Sequence, residues 1–290
     1  MRRFEFIPEG SEGCSVTAWL HGEGEGYQSS PAIIICPGGG YTRVSAREAE
    51  PVAGPYYEAG YHTFILTYSV GEKAKDFTPL CQLAATLAHI REYADRWNVD
   101  PKKIAVCGFS AGGHLAASLG TRYREHEFWD AFCRRTELSD NRESSDCRER
   151  KLCPSDIRPD AMILGYPVIT ADAYAHEGSI KTVSGAEVGS EEYAGFGLDQ
   201  YVDGQTPPTY LWHTAADSCV PVENSLKFCM ALSKAKVPFE YHVFPEGEHG
   251  MSVCTEAVGT PCAYNARWME WSIQWLDKLF DRSENGGEIN

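Results

Sequence analysis

The 290-residue sequence predicts an α/β fold: a doubly wound, mostly parallel sheet with an antiparallel N-terminal hairpin, joined by small cap or lid insertions. Three observations carry this expectation. Six short apolar runs, "AIIIC", "HTFILTYSV", "KIAVCG", "AMILGYPV", "PTYLWHTA" and "FEYHVFP", have the continuous hydrophobicity of strands covered on both faces. Helix-like or loop-like sequence follows each run, and such strand-helix alternation builds a parallel sheet with helices on both sides. By contrast, "RRFEFIP" and "CSVTAWLHG" alternate across "EGSEG", the pattern of a hairpin at a sheet edge.

The elements follow in order. "LCQLAATLAHIREYADRWNV" places Leu80, Leu83, Ala84, Leu87, Ile90 and Trp97 on one stripe of a helix that Asp100-Pro101 should end. "VENSLKFCMALSKAK" and "NARWMEWSIQWLDKLF" repeat the amphipathic spacing near the C-terminus. Two segments break the rhythm. Residues 121–158 carry dense charge of both signs and read as a charged insertion, either a solvated surface helix or a partial lid. Residues 170–207 mix Gly, Asp, Glu and Tyr with little periodicity and form a candidate cap segment. The final "SENGGEIN" has the composition of a frayed tail. At this length, residues 1–290 are expected to form a single domain around one large core.

Composition narrows the partners. A formal net charge of -15 repels phosphate backbones and anionic headgroups, which argues against nucleic acid or a membrane surface and favours a neutral substrate. Eleven cysteines with no C-x-x-C pair, several inside strand-like runs such as Cys36 and Cys107, point to buried free thiols rather than a zinc site. "MRRFEFIPEGSEG" has no apolar signal core, and no stretch approaches the ~18 apolar residues of a membrane helix. A cytoplasmic location is therefore expected; self-association is left open.

The chemistry begins at "GFSAGG". Gly108, Ser110 and Gly112 form G-x-S-x-G where a strand should give way to a helix, a turn so tight that flanking side chains must be absent and the Ser110 hydroxyl is thrust forward. A serine is a poor nucleophile at neutral pH and needs a base, a group to orient the base, and donors for the oxyanion. "ICPGGGYT" supplies exposed backbone amides after an early strand, so Gly39, Gly40 and Ala111 are the candidate oxyanion donors. Neither G-x-x-x-x-G-K-[ST] nor G-x-G-x-x-G is present to make that loop a phosphate site.

His249, in the glycine-flanked "EGEHG" after the last strand, is the candidate base; His114, His176, His213 and His242 are its rivals. Asp217, just after "TYLWHTA", is the candidate orienting carboxylate, with Asp199, Asp203 and Glu223 as alternatives. Tyr41, beside the glycine loop, is a candidate substrate contact. No metal or organic cofactor is required by this chemistry.

Together "PGGGY", "GFSAGGHLAASLG", "RPDAMILGYPVIT", "PPTYLWHTAADSCVPVENS" and "FPEGEHGMS" resemble the α/β-hydrolase superfamily, and within it the acetyl esterase or carbohydrate esterase branch that includes acetyl-xylan and feruloyl-esterase-like proteins. Pro37 stands where hormone-sensitive-lipase relatives place a histidine before the glycines, which favours the sugar-ester branch. The resemblance implies removal of a short acyl group, acetyl above all, from a sugar or oligosaccharide. An arylformamidase-like amidase or prolyl-oligopeptidase-like peptidase, and a non-catalytic binding protein of the same fold, are the alternatives.

Overall fold

The computed structural model describes residues 1–22, 29–136 and 152–282. Residues 137–151, the middle of the expected charged insertion, and the tail at 283–290 lie outside the described residues.

The chain opens with the hairpin β1 (Arg2–Phe6) and β2 (Ser15–Leu20), followed by β3 (Ser30–Cys36), α1 (Glu50–Glu58) and β4 (His62–Thr67). Helices α2 (Thr78–Glu92) and α3 (Ala94–Trp97) lead to β5 (Val99–Phe109), α4 (Ala111–Arg122) and α5 (His126–Arg135). After β6 (Ala161–Gly165) come α6 (Glu177–Ser184) and α7 (Glu191–Ala194), then β7 (Thr209–Thr214), α8 (Glu223–Ala235), β8 (Phe239–Phe244) and α9 (Arg267–Leu279). The strands form one sheet in the order β1-β2-β4-β3-β5-β6-β7-β8. Among the described residues only the β1–β2 and β2–β4 pairs are antiparallel.

Alternation along the central strands divides the core. Ile34 and Cys36 of β3, Val106 of β5 and Leu164 of β6 face a layer that includes residues of α2, α4, α5 and α8. Their neighbours Ile33, Ile35, Cys107 and Ile163 face the other layer, with residues of α1 and α9. Each of these side chains is fully buried, and each isoleucine contributes roughly 1.5–3 kcal/mol by leaving water. This two-sided burial is why the strands read as continuous apolar runs.

The structure departs from the expected helix at 80–97. Tyr93 leaves helical geometry at φ −94 and ψ 11, dividing the segment into α2 and α3. His89, Tyr93 and Trp97 still stack as one aromatic row against Phe6 of the hairpin. Pro101 does not precede the strand but lies inside β5. There the pairing with β3 shifts from Ser30↔Val99 to Ala32↔Ile104, so Pro101 sits in an irregularity with no ladder hydrogen bond to donate.

The expected charged insertion begins as an amphipathic helix: α5 buries Phe128, Ala131 and Phe132 beneath its charged face. Among the described residues no helix is long and apolar enough to cross a membrane.

The chain runs from β3 to one side for β4 and returns to the other side of β3 for β5. A sheet that reverses its winding in this way opens a crevice at the carboxyl ends of its strands. Every element of the candidate site gathers at that rim.

Candidate active site

Backbone packing sets the turn at Ser110. A Cβ on Gly108 would lie 2.1 Å from the Gly112 carbonyl oxygen, and one on Gly112 would lie 2.0 Å from the Cys36 carbonyl oxygen. Strand β5, helix α4 and the end of β3 therefore meet at backbone distance, where only glycine fits. Between these glycines Ser110 adopts φ +53 and ψ −119, a conformation that costs a non-glycine residue about 1–3 kcal/mol. Hydrogen bonds from Ser110 N to the Gly165 carbonyl (3.1 Å) and from Val168 N to the Ser110 carbonyl (3.0 Å) hold it. The hydroxyl does not cap α4; it is free for another partner.

That partner is His249, whose Nε2 lies 2.8 Å from Ser110 Oγ. On the other side of the ring, Nδ1 lies 2.7 Å from Asp217 Oδ2. A carboxylate can only accept, so Nδ1 carries the hydrogen and Nε2 offers its lone pair to the serine hydroxyl. Ser110 is 7% exposed and Asp217 6% exposed. The row is shielded from bulk water at both ends, with the imidazole between.

Asp217 is held at both oxygens. Its Oδ1 accepts from Cys219 N and Val220 N, each at 2.9 Å. His213 Nε2 lies 3.3 Å from Oδ2 and 2.9 Å from the Val220 carbonyl, two acceptors that require its hydrogen on that nitrogen. Burial alone would raise the Asp217 pKa. The hydrogen bonds from His213 and His249, the imidazole charge and the Val220 amide prevail and hold the carboxyl well below the usual range.

The glycine loop stands beside this row. Gly39 has φ +129 and Gly40 φ +66, and a Cβ on Gly39 would strike the Arg43 carbonyl oxygen at 2.2 Å. Among the described residues the amides of Gly39 and Gly40 donate to no protein acceptor. Ala111, first in α4, has an amide with no partner inside the helix. Free N–H groups at the start of a helix favour negative charge.

The rivals are placed elsewhere. His114 is buried with Nδ1 against the Tyr41 hydroxyl (2.9 Å) and Nε2 against the Phe196 carbonyl (3.0 Å). His242 bonds Glu240 on β8, and His213 stands on the far side of Asp217 with both nitrogens engaged. His176 spends Nδ1 on Ser179 at the start of α6. Asp203 pairs with Arg124, Glu223 opens α8, and Asp199 lies in a single turn at Asp199–Tyr201.

The expected substrate contact at Tyr41 is corrected: the ring is 1% exposed, packed against Tyr68 and His114, with its hydroxyl committed to His114. A sugar would find no open face there. Tyr41, at φ +58, supports the glycine loop from behind.

Two residues to which the sequence reading gave no role also belong to the site. Glu48 is 4% exposed, and its Oε2 accepts from Gly38 N at 2.8 Å. Its Oε1 accepts from the Tyr166 hydroxyl at 2.6 Å. Tyr166, just beyond β6, packs edge-on against the His249 ring with centroids 5.0 Å apart. Its phenol is held neutral by burial and then by the adjacent Glu48 carboxylate, which push its pKa well above the ordinary value. Nothing local singles out Glu48: in "REAEPVA" it stands two residues before a second acid, Glu50, and reads equally well as a surface position.

A hydroxyl, an imidazole and a carboxylate thus stand in one hydrogen-bonded row at the rim of the sheet. Residues 21–158, with the glycine loop and Ser110, match the BD-FAE family, and residues 160–283, with Asp217 and His249, match the prolyl oligopeptidase family. The chain is 34% identical over 261 residues, 87% of its length, to endo-1,4-beta-xylanase B of Butyrivibrio fibrisolvens. It is 25% identical over 260 residues, again 87% of its length, to an acetylxylan esterase of Xylanibacter ruminicola. It spans 36% and 46% of the length of these two relatives. The crystal structure of an acetyl ester-xyloside bifunctional hydrolase from Caldicellulosiruptor lactoaceticus superposes with a TM-score of 0.76 at 32% identity, covering 94% of this chain and 98% of that one. The chain belongs to the α/β-hydrolase superfamily, in its acetyl esterase and carbohydrate esterase branch.

Two predictions follow from this packing and charge. Gly112→Ala should destabilise the fold by about 3 kcal/mol or more, because its methyl meets rigid backbone. Gly54→Ala on α1, where an added Cβ meets nothing within 4 Å, should stabilise by up to about 1 kcal/mol. Urea midpoints measure both, and equal effects would contradict the close approach. The second concerns acid. Because the folded Asp217 pKa is depressed, the unfolded state binds the extra proton, and the stability this carboxylate contributes is complete above about pH 5 and fades as pH falls through its unfolded value near 3.9. The stability gap between the wild type and Asp217→Asn should therefore shrink between pH 6 and pH 3; a constant gap would contradict it.

Proposed function

We propose that the protein removes short acyl groups, acetyl above all, from a sugar or oligosaccharide, with Ser110 as nucleophile, His249 as general base and acid, and Asp217 as the group that orients the imidazole. The observation that carries this reading is the row from Ser110 Oγ through His249 to Asp217, with links of 2.8 and 2.7 Å, next to amides of the glycine loop that have no protein acceptor among the described residues.

In this reading Ser110 Oγ attacks the ester carbonyl carbon while its proton passes to His249 Nε2. The carbonyl oxygen becomes an oxyanion, received by the amides of Gly39, Gly40 and Ala111. His249 then returns the proton to the departing alcohol oxygen as the C–O bond breaks, leaving an acyl-serine. Water attacks that acyl group, His249 takes its proton, and the acid leaves as Ser110 is regenerated. Asp217 stays ionised throughout, consistent with its depressed pKa, and stabilises the imidazolium as it forms.

The acetyl and sugar assignments rest on the named activities of the acetylxylan esterase and the acetyl ester-xyloside hydrolase, and on a net charge of -15 that disfavours an anionic ester. Segment 170–207 is the proposed cap. Its helix α6 reaches the glycine loop, where a Cβ on Gly40 would come within 3.8 Å of Ser179 Oγ.

Ser110→Ala should fold as the wild type does and lose p-nitrophenyl acetate turnover by roughly 10⁴-fold or more. Across p-nitrophenyl esters from acetate to octanoate, kcat/KM should be highest for acetate, with acetate released from acetylated xylo-oligosaccharides. A preference for long chains, or faster cleavage of N-formylkynurenine than of any ester, would overturn the substrate assignment.

A further inference from the structure

We infer that Glu48 and Tyr166 act as a positioning pair: one buried carboxylate ties the glycine loop to the histidine loop and so sets the oxyanion amides relative to the imidazole. The inference rests on the proposed roles of Ser110 and His249 and adds to them two residues outside the catalytic row.

Among the described residues Glu48 has no ion-pair partner, although it is almost wholly buried. A buried carboxylate without a cation is costly unless hydrogen bonds satisfy it. Here they come from two different loops. One bond holds Gly38 N, in the loop after β3. The other holds the Tyr166 hydroxyl, in the loop after β6, and that hydroxyl in turn accepts from Ser252 N at 2.9 Å. Ser252 lies three residues beyond His249 in the same loop, and its own hydroxyl donates to the Arg47 carbonyl, next to Glu48. The circuit closes on itself, and each polar group in it has a partner.

The geometry has a direct consequence for the oxyanion donors. Glu48 occupies the Gly38 amide, so that N–H is withdrawn from the site, and the turn at Gly39 leaves the next two amides without a protein acceptor among the described residues. Gly38 is also where the loop touches the nucleophile: a Cβ there would come within 3.0 Å of Ser110 Cβ and 2.8 Å of Glu48 Oε2. Tyr166, through its edge-on contact with His249, fixes the imidazole from the other end. Movement of either loop would change the distance between donors and base together.

The test uses Tyr166→Phe, which removes one oxygen, and Glu48→Gln, which keeps the shape but loses an acceptor toward the phenol. Turnover of p-nitrophenyl acetate is measured per active site titrated with a fluorophosphonate, so that misfolded molecules do not count. Each variant should lose on the order of 10- to 100-fold in kcat, the scale of a small misplacement of reacting groups, with KM within about threefold. The double variant should be little worse than the poorer single one, because both break the same bridge. Unchanged kcat per titrated site, with loss confined to urea midpoint or to the number of titratable sites, would reduce the pair to ordinary structural residues. Ser110→Ala serves as the reference. If it is inactive while both variants turn over normally, the positioning inference alone fails; if it stays active, the functional reading fails and takes this inference with it.

Discussion

The close approach of three backbones around Ser110 is the constraint on which the rest depends. The end of β3, the end of β5 and the first turn of α4 come so near that Gly108 and Gly112 admit no side chain. That contact forces the chain to turn within one residue and holds Ser110 at φ +53. The strain is small beside the burial of the surrounding core, in which Ile34, Ile35, Val106 and Leu164 are wholly enclosed. A rigid, two-sided sheet is what allows a single residue to be kept in an unfavourable conformation, with its hydroxyl beyond the reach of its own helix.

The sheet also explains why distant side chains converge. Parallel strands end on the same rim, and β3, β5, β6, β7 and β8 each lead into a loop that delivers one part of the site: the glycine loop, Ser110, Tyr166, Asp217 and His249. Precision then comes from hydrogen bonds to buried groups. Asp217 accepts from two backbone amides and two imidazoles, and Glu48 from an amide and a phenol. Two buried carboxylates thus frame the imidazole, one bonded to it directly and one reaching it through Tyr166.

Much of this was legible in the sequence, for physical reasons. Strands buried on both faces must be continuously apolar, which made β3 to β7 readable; β8 read the same way although it is an edge strand that leaves Phe239 and Val243 exposed, and the hairpin showed itself by alternation. The residues that meet at Ser110 could be read because steric exclusion leaves glycine as its mark, and because the chain order of serine, carboxylate and histidine narrows the search. The break at Tyr93 was hidden, since the aromatic stripe from His89 to Trp97 continues across it. Helix α1 was hidden by Pro51 and Pro55: the first sits in the opening turn, where a missing N–H is tolerated, but the second lies inside the helix, where local rules disfavour it. Glu48 and Tyr166 escaped notice because nothing local distinguishes a buried acid from a solvated one; its partners lie 10 and 118 residues away. Tyr41 misled for the same reason. Its place beside the glycine loop was evident, but whether the ring faces the crevice or the core is a property of the packing.

The central claim is that Ser110 is made nucleophilic by the imidazole of His249 at this rim. Peptide mapping by mass spectrometry after treatment with diethyl p-nitrophenyl phosphate tests it most directly. The account predicts one diethylphosphoryl group per chain, on Ser110, and its loss from a His249→Ala variant treated for the same time. Modification of another residue, or equal labelling of Ser110 without the imidazole, would contradict it.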